Sequence, residues 1–146
     1  MPNWCDNVVT IFGPPEALET LAAAAMDRSL LNTIKPIGDW AYDRAIETWG
    51  VKWDVEDLNP VLTRDCLHLE FESPWGPPLG AYHILEEDWG CHVEAYFYEY
   101  NMNFCGRFED GGHESYELDN APQDILDKFK SYVPASIKEL RAAGLG

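Results

Sequence analysis

Residues 66 to 73 read CLHLEFES, and the stretch alternates without a slip. Leu67, Leu69 and Phe71 point one way, while Cys66, His68, Glu70 and Glu72 point the other. That is the period of a β-strand with one dry face and one wet face. Residues 91 to 100, CHVEAYFYEY, repeat the pattern. Here Val93, Ala95 and Phe97 form the apolar set, and His92, Glu94, Tyr96, Tyr98 and Tyr100 form the polar one. Between the two runs lies SPWGPPLG, a Pro/Gly loop, and then a helix from about 78 to 88 with Leu79, Tyr82 and Leu85 turned inward.

Upstream, residues 5 to 12, CDNVVTIF, read as a strand that stops at Gly13. Pro14 and Pro15 suit a helix start, where a missing N–H costs nothing. Leu18, Leu21, Ala22 and Ala25 then recur at helical spacing over about 15 to 27. Residues 30 to 37, LLNTIKPI, read as a short strand or an irregular connection. Residues 39 to 48 read as a poorly capped helix with Trp40, Ala41, Arg44 and Ala45 in register. Downstream, 103 to 109 and 114 to 118 form a hairpin through Asp110-Gly111-Gly112, a strong turn signal. A helix begins at Asn120 and Pro122 with Ile125, Leu126 and Phe129 inward; Pro134 ends it, and a last helix reaches about Ala143.

Strand, helix, strands, helix, strand is the order of a split βαβ unit. The expected fold is α+β: a ferredoxin-like sandwich, an antiparallel sheet with helices on one face, plus an extra hairpin and C-terminal helices. The chain is expected to be one domain, with residues 1–118 as core and hairpin and 119–146 as a helical extension. The second sheet face is either open or covered by the C-terminal helices. In the second case Tyr96 and Tyr98 are core residues.

Composition narrows the function classes. With 46% hydrophobic residues among 146, the chain has enough apolar surface for a core. No apolar run approaches the ~20 residues that span a bilayer. MPNWCDN shows no secretory pattern, so a cytoplasmic location is expected. Cys5, Cys66, Cys91 and Cys105 lack CxxC spacing and read as reduced, packed thiols. Net charge is −16, and it is uneven. Asp65 to Asp127 holds 15 acids and one base, Arg107, a local net of −14. Such a surface repels phosphate backbones, so direct nucleic-acid binding is disfavoured. A basic, nucleic-acid-binding protein would be steered toward it. Acidity also serves solubility alone.

Four segments belong together: MPNWCDN at 1–7, WGVKWD at 49–54, LEFESPWGPP at 69–78 and NFCGRFEDG at 103–111. With them the chain resembles the YubB ferredoxin-like family, small proteins carried by phages and plasmids. The resemblance implies a ferredoxin-like core and a mobile-element origin, and no reaction. Trp49, Trp53 and Trp75 fall in these segments beside Gly or Pro. They are expected to anchor irregular connections at the sheet edges, leaving Asp54, Glu56 and Asp57 on an outer rim with Lys52 alongside.

Catalytic and metal patterns are weak. Cys66 and His68 share a strand face, and Cys91, His92 and Glu94 lie on another strand, but short-spaced zinc ligand pairs are missing. The fold would also place the first strand between those two strands. Cys91 or Cys105 with His113 lacks any local nucleophile signature. Among 26 acids, some carboxylate pair drawn from Glu70, Glu72 and Glu94 is bound to exist. No cofactor, metal or catalytic residue is therefore expected. The leading expectation is a non-catalytic acidic binding protein of a phage or plasmid. It would inhibit a host nucleic-acid-binding defence complex, in the manner of an anti-CRISPR or nucleic-acid mimic. Its partner-binding residues would be Asp54, Glu56, Asp57, Glu70, Glu72, Glu86, Glu87, Asp88, Glu94, Tyr96, Tyr98 and Glu99. The alternatives are a small metal- or Cys/His-dependent enzyme and a structural or housekeeping phage protein.

Overall fold

The computed structural model describes residues 3–129. Among these residues, six antiparallel strands form one sheet: β1 (Trp4–Phe12), β2 (Val61–Leu62), β3 (Cys66–Pro74), β4 (His92–Glu99), β5 (Phe104–Glu109) and β6 (Gly112–Glu117). Their spatial order is β2-β3-β1-β4-β5-β6. The first four strands, with α1 (Pro15–Met26) before β2 and α4 (Leu79–Asp88) between β3 and β4, make the ferredoxin-like split βαβ. The β5–β6 hairpin extends the sheet past β4.

Alternation decides which side chains are dry. Val9, Ile11, Leu67, Leu69, Phe71, Val93 and Ala95 pack under the helices, as the two period-2 runs predict. From α1 come Leu18, Leu21, Ala22 and Ala25, at the expected spacing. Burying the Val, Leu, Ile and Phe side chains supplies roughly 1.5–3 kcal/mol each. Asp110 (φ 53°) and Gly111 (φ 78°) both lie in the left-handed region, so the hairpin closes tightly with Glu109 opposite Gly112. That is the two-residue turn whose twist matches the strands.

Two local readings change, and one strand is new. Residues 30 to 37 are not a strand: Leu30–Ile34 form a short helix, α2, burying Leu30, Leu31 and Ile34. Its cause lies far along the chain. The Asp54 carboxylate accepts the Leu31 and Asn32 N–H groups at 2.7 and 3.0 Å, so a distant residue caps the helix. Next, α3 runs Tyr42–Trp49, later than expected. Trp40 stands exposed before it, and Ala45 and Trp49 form its inner side. Gly50, at φ 88°, caps it in the left-handed conformation. Finally, β2 is a strand of two exposed residues against Leu67 and His68, too short to leave a periodic signal.

The helix expected from Asn120 begins as a 3-10 turn, Leu118–Asn120, followed by α5 (Gln123–Asp127). Both fold back over the sheet face opposite the other helices. There Tyr98, Cys105, Leu118, Ala121, Ile125, Leu126 and Phe129 make a second, smaller core. Half of that face is therefore covered, over β4 and β5. The break at Pro134 and the last helix lie outside the described residues.

Candidate functional site

The half of this second face that no described helix covers lies over β1 and β3. Register sets its residues in rows: Glu72 opposite Asp6, Glu70 opposite Val8, and His68 opposite Thr10. Paired side chains across antiparallel strands stand about 4.5–5.5 Å apart at Cβ. The loop 56–61 walls one side and Phe129 lines the other, enclosing a cleft of about 530 Å³. Asp6, Glu56, Asp57, Glu70 and Glu72 line it, with His68 but, among the described residues, with no Lys or Arg. His68 Nε2 lies 3.6 Å from Glu70 Oε1, and its Nδ1 is 3.3 Å from Thr10 Oγ1. Glu56 and Glu72 also border an adjoining hollow of about 180 Å³, where Arg28 joins them.

The electrostatics of the cleft centre on Asp6. Burial raises its carboxyl from 3.8 to about 6, and the charges of Glu72 and Glu99 push the same way. Two opposed carboxylates without a cation between them are repulsive by construction. Asp6 was absent from the sequence-based site. The signal was present, since it shares alternation parity with Val8 and Thr10, but only the β1–β3 register brings it against Glu72.

The structure sorts the twelve expected partner-binding residues into four groups. Glu56, Glu70 and Glu72 are exposed around the cleft. Glu86, Glu87 and Asp88 end α4, on the helix side of the sheet, with no base in its last turn. Carboxylates there oppose the helix dipole. Through His92, Glu86 is linked to Glu94, with both contacts at 3.5 Å. Tyr96 is half-buried under Lys128, whose Nζ lies 4.9 Å from its ring.

The fourth group corrects the expectation of an exposed surface. Asp57, 9% exposed, accepts the Asn59 N–H at 2.9 Å and the Glu70 N–H at 2.8 Å, which ties the loop to β3. Asp54 is half-buried on α2; burial raises its carboxyl above the usual value, against the pull of three backbone N–H donors. Tyr98 is 1% exposed and stacks on Phe129 at 5.5 Å, so the covered-face alternative holds for it. Its hydroxyl is pushed up to about 12, chiefly by burial. Glu99 is 0% exposed, because it continues the inward series of Val93, Ala95 and Phe97. One of its carboxylate oxygens accepts the Met102 N–H.

The cysteine chemistry is structural in form. All four thiols are free, and Cys5, Cys91 and Cys105 are buried. Burial pushes the Cys5 and Cys91 thiols up, away from the reactive thiolate. Cys105 pairs with Tyr116 and His113 with Phe108, on opposite sheet faces. As expected, β1 separates the strand of Cys66 and His68 from that of His92 and Glu94. Among the described residues, no three Cys, His, Asp or Glu side chains converge as a metal site. No helix among them is long and apolar enough to cross a membrane.

The tryptophans divide. Trp49 is 3% exposed, and its Nε1 donates to the Lys35 carbonyl at 2.9 Å. Trp53 is half-buried against Trp4, with ring centroids 5.9 Å apart. Both anchor loops as expected. Trp75 does not: it is 46% exposed. Lys52 lies over the Trp53 ring, at 4.5 Å, rather than alongside the acids.

Comparison with known proteins gives a family. The model described as the ferredoxin-like domain in Api92-like protein matches residues 48–132. A crystal structure of a protein api92 from Yersinia pseudotuberculosis is similar at 22% identity and a TM-score of 0.39, over 56% of this chain. The match spans 31% of that protein's length. No curated protein matches.

Proposed function

The chain belongs to the family of the ferredoxin-like domain in Api92-like proteins, and from that premise we propose that it is a non-catalytic binding protein. Its acidic cleft docks on a basic surface of a nucleic-acid-binding protein. One observation carries the reading: Asp6, Glu56, Glu70 and Glu72 surround a 530 Å³ cleft whose lining, among the described residues, contains no Lys or Arg. Such a cluster costs stability in the free protein, and a Lys- or Arg-rich partner relieves the cost. Carboxylates take Arg in bidentate pairs, and the cleft offers several at once. Nucleic acid is the wrong sign for it.

On the resemblance to mobile-element proteins alone, we take the partner to be a host defence complex and the effect to be inhibition by competition with nucleic acid. The test is capture from host lysate on the immobilised protein, washed at stepped salt, beside the Asp6→Asn/Glu70→Gln/Glu72→Gln variant. The expected result is a nucleic-acid-binding protein that elutes as salt rises, is displaced by added DNA or RNA, and is lost from the variant. Capture that survives the triple substitution overturns the cleft as the docking site. A captured protein that nucleic acid does not displace overturns the competition.

A further inference from the structure

We propose that the aromatic groove between α3 and the Pro74–Pro78 loop binds an extended, proline-containing peptide segment that carries acidic residues. This groove, about 250 Å³, is lined by Tyr42, Ile46, Lys52, Pro74 and Trp75 and shares no residue with the acidic cleft.

Three observations converge on it. The first is Trp75, exposed and held at φ 69°, in the left-handed region that residues with a Cβ rarely adopt. Its N–H donates to the Asn3 carbonyl at 2.8 Å, so the fold fixes the strained backbone in place. A glycine would make the same turn without strain, so packing does not explain an exposed indole there. The second is the indole N–H. Those of Trp40, Trp49 and Trp89 donate to the carbonyls of Lys52, Lys35 and Ile34. Trp75 Nε1 donates to no described residue; Trp53 Nε1 is also without a partner among them but is buried, whereas Trp75 stands exposed. The third is charge. Lys52 Nζ lies 5.9 Å from the Trp75 ring, and the groove lining contains no acid among the described residues, on a chain of net −16. The hollows at Asp6, Arg28 and Arg107 all carry acids.

These features fit a polyproline II segment. Its prolines pack on exposed aromatic rings, and its backbone carbonyls, unpaired within the helix, accept an indole N–H. Lys52 then selects carboxylates on the peptide. A sugar would need several in-plane carboxylates or amides, and the described lining of the groove has none. Nucleic-acid bases also stack on exposed indoles, and the single strand included in the test separates that reading.

The test is titration of the full chain, by calorimetry, with an acetylated Pro-x-x-Pro decapeptide bearing Asp-Glu at both ends. A Lys-Lys version and a Pro→Ala version are run in parallel. The acidic peptide is expected to bind in the micromolar range, and both controls at least tenfold more weakly. Trp75→Gly should lose at least tenfold in affinity while its Tm stays the same or rises, which a purely structural tryptophan would not do. Lys52→Gln should erase the preference for the acidic ends, and it decides the matter if Trp75→Gly does not fold. Failure of the acidic peptide to bind, equal binding of the Lys-Lys peptide, or undiminished binding by Trp75→Gly overturns the proposal. So does preferential binding of a ten-nucleotide single strand or an oligosaccharide.

Discussion

Asp6 shows what one residue tells about the design. Its carboxyl titrates near 6 in the fold and near 3.8 when unfolded. The folded state therefore holds the proton more tightly than the unfolded one. Stability is thus expected to fall as pH rises from about 4 to about 6, and the loss is complete above that. Asp6→Asn removes the charge, so it should raise stability at pH 7 and leave it nearly unchanged at pH 4. The gain should be on the order of 1 kcal/mol, kept small by solvent screening of a half-exposed site. Denaturant unfolding at the two pH values measures it; equal effects at both would contradict the account. Asp54 makes the opposite case. Its carboxylate satisfies the Leu31 and Asn32 N–H groups and its own loop's Val55 N–H. Asp54→Ala should cost about 1–2 kcal/mol by uncapping α2, seen as a lowered denaturation midpoint at unchanged m-value. One acid serves the fold, and the other costs it.

At the scale of elements, the legible parts are those with a period. CLHLEFES and CHVEAYFYEY reveal their strands, and with α1 and α4 they fix the ferredoxin-like order. What escaped was decided by residues distant in sequence. α2 owes its cap to Asp54, 23 residues away. Tyr98 is core because the Leu118–Phe129 segment covers it, and nothing within its own strand says so. Glu99 was readable in principle, since odd positions of β4 face inward, yet an acid in an inward series invites the assumption of exposure. The cleft was half legible: Glu70 and Glu72 come from alternation, while Asp6 needed the pairing of β1 with β3. The hairpin supplies a test of how tightly these elements fit. A Cβ at Gly106 would run into the Glu114 carbonyl oxygen and the Phe97 ring, one on the partner strand and one in the core. Gly106→Ala should destabilise by about 1–3 kcal/mol, the range of overpacking. Amide exchange should show β5 and β6 opening first. A neutral substitution would mean that the hairpin sits more loosely against Phe97 than the structure places it.

For the molecule as a whole, the question is whether the proposed binding uses the cleft or the general field of a chain with net charge −16. Both steer a basic partner, and both weaken with salt, as screening shortens from about 10 Å at 0.1 M to about 3 Å at 1 M. Salt alone therefore does not separate them. Position does, because the structure puts the acids in distinct places. Asp6, Glu70 and Glu72 line the cleft on one sheet face, while Glu87 and Asp88 end α4 on the helix side. Removing three charges from the cleft should weaken the captured partner at least tenfold and flatten the salt dependence, since contact pairs are lost. Glu87→Gln/Asp88→Asn removes two charges from elsewhere. It should slow association slightly and leave dissociation unchanged, as rim charges do. Surface plasmon resonance at 50 mM and 500 mM salt reads both terms. If the α4 pair matters as much per charge as the cleft triple, the protein works through its net field and the cleft is incidental. If only the triple raises the dissociation rate, the partner's basic side chains sit between β1, β3 and the 56–61 loop.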